Sequence, residues 1–316
     1  MALETLKKLW KNEYFQTVLT LILLIAFVLG FWRIVQTALR TEYPALAVSS
    51  SSMVPTLNVG DLIIVQGASP EQINASYLNG DIVVYKNSKE DFIVHRAVKV
   101  ENKSGEYWFT TKGDNNSVED SSWNSSRLIG KVVGRIPWIG NFPLLMHSQQ
   151  NIYIFIIFII ILIVVFLFFP SETDKKEKEG EERLIIGKIP LKMIYLTILN
   201  IFLIGLIIFS LWGTFTFWNP GAGSYSRGMY VTVYGMFSDV NFHETHSRNV
   251  REVFLSQSFL TYNIDCRLSE GLRTGVPTFS WSQAAIIILL VLDTWNLIKI
   301  LRKQGRLKLK RRQESI

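Results

Sequence analysis

Hydrophobic positions along this chain fall into two patterns. Four stretches are apolar almost without interruption, at residues 16–37, 152–169, 191–213 and 284–301. Each is about long enough to cross a hydrocarbon core ~30 Å thick, which takes roughly 20 helical residues. The second pattern lies between the first two stretches. Residues 57–140 break into short runs rich in β-branched and aromatic residues: "GDLIIVQG", "GDIVVYK", "DFIVHRAVKVE", "EYWFTTKGD" and "RLIGKVVGRI". Asn79-Gly80-Asp81 and Lys103-Ser104-Gly105 mark turns between them. No segment there holds a helical period. The pattern predicts an all-β domain with a membrane helix at each end.

Composition supports the membrane assignment, since 48% of the 316 residues are hydrophobic and the mean hydropathy is +0.22. The first stretch is too long and too far along the chain for a secretory h-region, so it is predicted to be a retained anchor. Lys and Arg near the helix ends set the orientation. Lys7, Lys8 and Lys11 precede the first stretch, Lys175 to Lys192 lie between the second and third, and "RKQGRLKLKRR" follows the fourth. The expected organisation is therefore four transmembrane helices with two outer parts. Residues 1–38 form a cytoplasmic N-terminus and anchor, 39–150 an extracytoplasmic β domain, and 151–170 the second helix. Residues 171–190 form a charged cytoplasmic linker, 191–213 the third helix, 214–283 a smaller, β-rich outer module, and 284–316 the fourth helix and a basic cytoplasmic tail.

The formal charge of +7 sits at the inner ends, because residues 39–150 hold ten basic and eleven acidic side chains. That distribution points to anionic lipid and argues against nucleic acid, as does the lack of aromatics in the basic tail. A single cysteine, Cys266, excludes an intramolecular disulfide. Four Asn-x-Ser sequons, at Asn74, Asn102, Asn115 and Asn124, all fall within 39–150, in keeping with an outer location. Near the end of that domain, "IPWIGNFPLLM" gathers Trp138, Ile139, Phe142, Leu144 and Leu145, either as a patch for the membrane interface or as part of the β core.

Within the outer domain, "SSSSMVPT" (Ser49 to Thr56) reads by composition as a tether. A serine becomes a nucleophile only beside a base, and that base works best when a third group fixes its tautomer. His95 in "FIVHRAV" is the one histidine of residues 39–150 besides His147. Strand alternation places it with Ile93 and Ala97 on a half-buried face, where a lone histidine is more often structural. "TKGDNNSVEDSSW" offers Asp114, Glu119 and Asp120, although Asp-Asn after Gly is also ordinary turn chemistry. Their common occurrence on one extracytoplasmic β domain carries more weight than any of them alone.

Together these segments resemble a known family. "SSSSMVPTLNVGDLIIV", "GDIVVYK", "IVHRAVKV", "TKGDNNSVED" and "GKVVGRIPWIG" are similar to the successive boxes of signal peptidase I of the archaeal and endoplasmic-reticulum type, over about residues 15–150. The bacterial subtype has a lysine base where this chain has His95. The resemblance implies that Ser52 is the nucleophile and His95 the general base. It implies Asp120 as orienter of the imidazole, with Asp114 needed close by. It also makes the backbone N–H of Ser52 and the hydroxyl of Ser50 the candidates for the oxyanion hole. Ser51 stands where many members carry Gly or another small residue. The implied activity is cofactor-free removal of signal peptides from exported preproteins, with small residues preferred at substrate positions −1 and −3. Membrane lipids, a secretion translocon and accessory subunits are the implied surroundings, in a cell membrane or an internal secretory membrane.

The resemblance stops before the second half of the chain. "SETDKKEKEGEER" reads as a solvated linker. Within 214–283, "SRGMYVTVYGMFS" and "EVFLSQSFLTY" have β character, and docking, substrate capture and plain anchoring are all open roles for the module. "DVNFHETH" groups His243 and His246 with Asp239 and Glu244 but lacks the His-Glu-x-x-His spacing, so no metal is expected. Asp293 lies in the middle of the fourth stretch, where a carboxylate is costly, so it is expected to be protonated, paired with Asn200 in the third stretch or turned to the helix bundle, with a helix–helix contact favoured over a proton relay. Two rival readings are a non-enzymatic subunit that binds exported chains and a Ser/Lys dyad using Lys99 or Lys112. A transporter is disfavoured, because no Gly/Pro-broken helix pair offers a path.

Overall fold

The computed structural model describes residues 12–147, 185–186, 189–218 and 230–313. The expected second span, 152–169, and the charged run after it lie outside the described residues. Among the described residues, three helices are long and apolar enough to cross a membrane: Phe15–Leu39, Ile194–Trp212 and Trp281–Arg302. The chain divides into two compact units. One comprises Met1–Leu46, Ile63–Gly113 and Val118–Val133, and the other Ala47–Leu62, Asp114–Ser117 and Gly134–Ile316.

The first unit begins with α1 (Glu13–Leu39), which carries no charge between Glu13 and Arg33. Its apolar side chains, Leu23, Phe27 and Ile34 among them, are exposed, as expected of a helix whose solvent is hydrocarbon. Arg40 ends it in a left-handed conformation (φ 54°), and Gly67 N–H donates to the Leu39 carbonyl at 2.8 Å. A Cβ on Gly67 would meet Arg40 O at 2.0 Å, so only glycine lets the β domain close onto the helix end.

The predicted strands are all present. After the short β1 (Ala45–Ala47) come β2 (Leu62–Gln66), β3 (Ile82–Lys86), β4 (Phe92–Lys103), β5 (Glu106–Lys112), the short β6 (Trp123–Asn124) and β7 (Leu128–Ile136). Strands β7, β3, β4, β5 and β6 lie side by side, antiparallel throughout. The register sets Val83 opposite His95, Ala97 opposite Thr111 and Phe109 opposite Trp123. The β4–β5 hairpin turns at Ser104 and Gly105, both at positive φ. Such a turn matches the twist of the strands it joins. The core comprises Ile73, Val83, Tyr85, Ala97, Phe109 and Trp123, with the Tyr85 and Trp123 rings stacked 4.2 Å apart. Period-2 patterning understates the cover over β4. His95, Arg96, Ala97 and Val98 are all buried, so both faces of that strand are packed where the alternation predicts one.

The second unit holds the segment 47–62, residues 114–117 and everything from Gly134 onward. After β7, α2 (Asn141–His147) follows a turn in which exposed Trp138 meets Phe142 edge-on at 5.7 Å. Trp138 and Phe142 of the "PWIGNF" patch are thus exposed where the turn enters α2, while Pro137, Gly140 and Asn141 are buried. Further on are β8 (Ile185–Ile186) paired with β9 (Ile189–Pro190), α3 (Leu191–Trp212), and β10 (Thr214–Trp218) paired with β11 (Tyr230–Tyr234). The module continues through α4 (Met236–His246), β12 (Val250–Ser258), β13 (Thr261–Leu268), β14 (Gly271–Arg273) and β15 (Thr278–Phe279) into α5 (Trp281–Gln313). Strand β13 pairs with β12, β14 and β15, and Thr278 of β15 lies opposite Arg135 of β7. In the spans, Asn200 Nδ2 of α3 donates to Asp293 Oδ1 of α5 at 3.0 Å, the partner that a mid-span carboxylate requires.

Helix α4 departs from the β-rich expectation. The residues it buries are Met236, Asp239 and His243. Two of the three are polar, so the helical period carries no apolar signal to read.

Candidate active site

In the first unit, His95 projects from β4 with its side chain almost wholly covered. Its Nδ1 lies 2.5 Å from Oδ2 of Asp120, which sits in the loop after β5. The Asp120 N–H donates to the Thr111 carbonyl at 2.8 Å and so pins that loop back onto β5. Three donors converge on Oδ2: the ring of His95, the Thr111 hydroxyl at 2.6 Å and the Tyr85 hydroxyl at 3.3 Å. Trp123 Nε1–H in turn donates to the Thr111 oxygen at 3.2 Å, which aims that hydroxyl at the carboxylate.

The electrostatics follow from these contacts. Burial alone pushes the Asp120 carboxyl up, but the hydrogen bonds from His95, Thr111 and Tyr85 outweigh it and hold the group below the usual carboxylate range. Asp120 is therefore an acceptor only, and the proton in the His95 contact belongs to Nδ1. In that neutral tautomer the basic lone pair of the ring is on Nε2. Burial pushes the Tyr85 phenol up to about 12, reinforced by the charge on Asp120, so it stays a donor.

In the second unit, the serine-rich segment is folded and not a free tether. Val48 N–H donates to Asp61 O and Gly60 N–H to Val48 O, each at 2.9 Å, closing the segment at its base. Val54 N–H donates to Ser51 O and Leu57 N–H to Met53 O, which makes 51–57 a tight succession of turns. Ser49, Ser50 and Ser51 are exposed, Ser52 is partly buried, and Met53 and Leu57 are buried at its foot. Asn115 holds this segment twice, through its N–H to Ser52 O at 2.9 Å and its side chain to Ser51 O at 3.1 Å. The Oγ atoms of Ser50 and Ser52 are 3.3 Å apart. Asp114 accepts from the Thr56 hydroxyl at 2.5 Å, so this carboxylate braces the serine segment, while Asp120 is the one on the His95 ring.

The remaining candidates have other surroundings. Lys99 is largely exposed and ion-paired with Glu101, which raises its pKa. Glu119 accepts from the Tyr77 hydroxyl. His243 is buried and its Nδ1–H donates to Asp239 O at 2.8 Å, whereas His246 packs at a tilt against Phe242, 3.9 Å between ring centroids. No cluster of three or more His, Cys, Asp or Glu with metal-binding geometry occurs among the described residues. Sequence reasoning missed Tyr85, Thr111 and Asn115. The two strand residues look like ordinary β positions, and Asn115 looks like part of a turn. Only the packing gives them their roles.

With this geometry established, the chain can be set beside known proteins. Residues 33–133 match the Peptidase S24-like family. The chain is 32% identical over 153 residues to the signal peptidase complex catalytic subunit SEC11C of Homo sapiens, a match covering 45% of this chain and 78% of that protein. It is 31% identical over 156 residues to the signal peptidase complex catalytic subunit sec11 of Dictyostelium discoideum, covering 46% and 84%. Against the signal peptidase complex catalytic subunit SEC11 of Candida albicans, identity is 31% over 132 residues, covering 39% and 75%.

Proposed function

Since the chain belongs to the family of signal peptidase complex catalytic subunits, we propose that it is a membrane-bound serine endopeptidase that cleaves signal peptides from exported and membrane-inserted preproteins. In this reading Ser52 is the nucleophile, His95 the general base and Asp120 the group that fixes the imidazole. The single observation that carries it is the 2.5 Å contact between His95 Nδ1 and an ionised, triply hydrogen-bonded Asp120. A binding module has no use for a buried histidine held in one tautomer.

The chemistry follows the roles. His95 Nε2 takes the Ser52 hydroxyl proton as Oγ attacks the carbonyl at the end of the signal peptide. The ring becomes an imidazolium, and the Asp120 carboxylate stabilises that charge while remaining ionised. The backbone N–H of Ser52 and the Ser50 hydroxyl, whose oxygen lies 3.3 Å from the attacking one, are the donors assigned to the oxyanion. The imidazolium then protonates the departing amine, which is the new N-terminus of the mature chain. Water attacks the Ser52 ester, again with His95 as base, and releases the signal peptide. No cofactor enters. A substrate held by its own membrane helix presents its cleavage site at a fixed depth, and Ser52 follows the membrane-length helix Phe15–Leu39 by 13 residues. The outer domains are assigned to the extracytoplasmic side and both termini to the cytoplasm on the Lys/Arg pattern. Accessory subunits, as in the complexes to which the relatives belong by name, are the expected partners.

A lysine base finds less support. Lys99 is exposed, charged and already paired, the opposite of the desolvated, neutral amine such a dyad needs. The test is cleavage of a signal-peptide-bearing precursor by the full chain in liposomes, with the product's N-terminus sequenced. Cleavage at the signal junction that is lost in Ser52→Ala and retained in Lys99→Ala and Lys112→Ala supports the reading. Cleavage retained in Ser52→Ala overturns it.

A further inference from the structure

The largest group of buried charges in the described residues lies outside the His95–Asp120 pair. Arg135, at the end of β7, is buried with two carboxylates, Asp61 and Asp239. Its four contacts reach two different parts of the second unit. Nη1 donates to Asp61 Oδ2 and to the Thr56 carbonyl, both at 3.2 Å, and these acceptors belong to the serine segment. Nε donates to Thr278 Oγ1 at 2.8 Å, and Nη2 donates to Asp239. Those two belong to the module that follows α3, whose role the resemblance leaves open. The Tyr262 hydroxyl at 3.3 Å and Asn58 Nδ2 at 3.4 Å also donate to Asp239.

We propose that Asp239 is a positioning residue for the peptidase: through Arg135 it sets the placement of the Ser52 segment, so that the C-terminal module is a working part of the active-site scaffold. This rests on the reading of Ser52 as nucleophile. The linkage is short and continuous. Arg135 holds the Thr56 carbonyl. The Thr56 hydroxyl is held by Asp114, and the next residue, Leu57, bonds back to Met53, the neighbour of Ser52. Asn115, adjacent to Asp114, holds Ser51 and Ser52 directly.

The arrangement also has a defined alternative. Asp61 Oδ1 has no hydrogen-bond partner, and a guanidinium favours a two-pronged grip on one carboxylate. Asp239 holds Nη2 away from that grip and thereby keeps Nη1 on the Thr56 carbonyl. Without Asp239, the guanidinium swings onto both Asp61 oxygens and the Thr56 carbonyl loses its donor. The serine segment then loosens on the side facing the module, with its base still closed by Val48, Gly60 and Asp61.

The experiment uses the full chain in liposomes, with Asp239→Ala and Asp239→Asn as variants. Tyr262→Phe is a third, milder variant that removes one donor to Asp239 and keeps the ring. Amide exchange and cleavage kinetics are read together on the folded fraction. The expected result is exchange about tenfold faster across residues 48–61 and kcat lower by about tenfold with KM within about twofold, as a misplaced nucleophile gives. Tyr262→Phe should move the same two quantities in the same direction by less. Exchange that rises only in α4 and β12–β13, with residues 48–61 and kcat unchanged, overturns the proposal. The exchange readout does not depend on peptidase activity. A wild type that fails to cleave would count against the proposed function alone, while the exchange pattern still decides the role of Asp239.

Discussion

The molecule contains two clusters built from the same parts, a carboxylate beside a nitrogen base or cation with hydroxyl donors around it, and they behave in opposite ways. Asp120 keeps about a quarter of its side chain exposed and collects three donors on one oxygen, and its carboxyl is held below the usual range. Asp61 has no exposure, and burial pushes its carboxyl up to about 6 despite the pull of the Arg135 guanidinium. The difference lies in how completely hydrogen bonds replace lost water. At Asp120 three donors on Oδ2, with the rest of the carboxylate partly open to solvent, leave a fixed negative charge suited to orienting His95. At Asp61 one oxygen has no partner, and a second carboxylate, Asp239, shares the same cation. The first cluster is arranged for chemistry, the second for holding chain segments together.

The sharpest way to break this contrast is to exchange charge for an amide in each cluster. In Asp120→Asn the side chain keeps its shape but its amide nitrogen forces the wrong tautomer on His95. Cleavage should fall by about 10⁴-fold, far out of proportion to the change in thermal midpoint. Arg135→Met should act mainly on stability, with a smaller loss of kcat through the Thr56 carbonyl it holds. Removing the cation leaves two carboxylates buried, at a cost of about 3–5 kcal/mol of stability, measurable as a lowered unfolding midpoint in micelles.

Proton linkage separates the clusters next. Asp120 titrates lower in the folded state than its unfolded value of 3.8. Its stabilisation is therefore present above pH 3.8 and lost as the pH falls through the folded value, and Asp120→Asn should flatten that acid limb. Asp61 titrates higher when folded, at about 6 against 3.8. Its contribution is greatest below pH 3.8 and lost as the pH rises towards 6, so Asp61→Asn should flatten the midpoint over that window instead. Midpoints recorded from pH 3 to 7 for both variants check the two signs together. The smallest expected effect is Tyr85→Phe. It removes one of three donors to Asp120 at a cost of about 1 kcal/mol of stability, seen as a midpoint lowered by a few degrees with a small loss of kcat.

The sequence was informative where a pattern repeats locally. Five β runs became β2, β3, β4, β5 and β7, and three of the four apolar stretches are membrane-length helices among the described residues. The Asn200–Asp293 contact is the one of the alternatives open to a mid-span carboxylate that the structure shows. The His95–Asp120 pair was reached through motif order, because 25 residues of sequence separate a contact that only the β4–β5 hairpin and its following loop bring about. The second cluster was not legible, since Arg135 and Asp239 lie 104 residues apart and neither "GKVVGRIPWIG" nor "DVNFHETH" says that they pair. Helix α4 was missed for a related reason: its buried face is mostly polar, so hydrophobic periodicity could not reveal it.

The central claim is that the histidine fixed by Asp120 is the catalytic base, and it is tested most directly by the cleavage rate of His95→Ala in liposomes. Measured with saturating precursor on protein of wild-type midpoint, the rate should fall by at least about 10³-fold. A rate within about tenfold of wild type would contradict the account and place the base elsewhere in the chain.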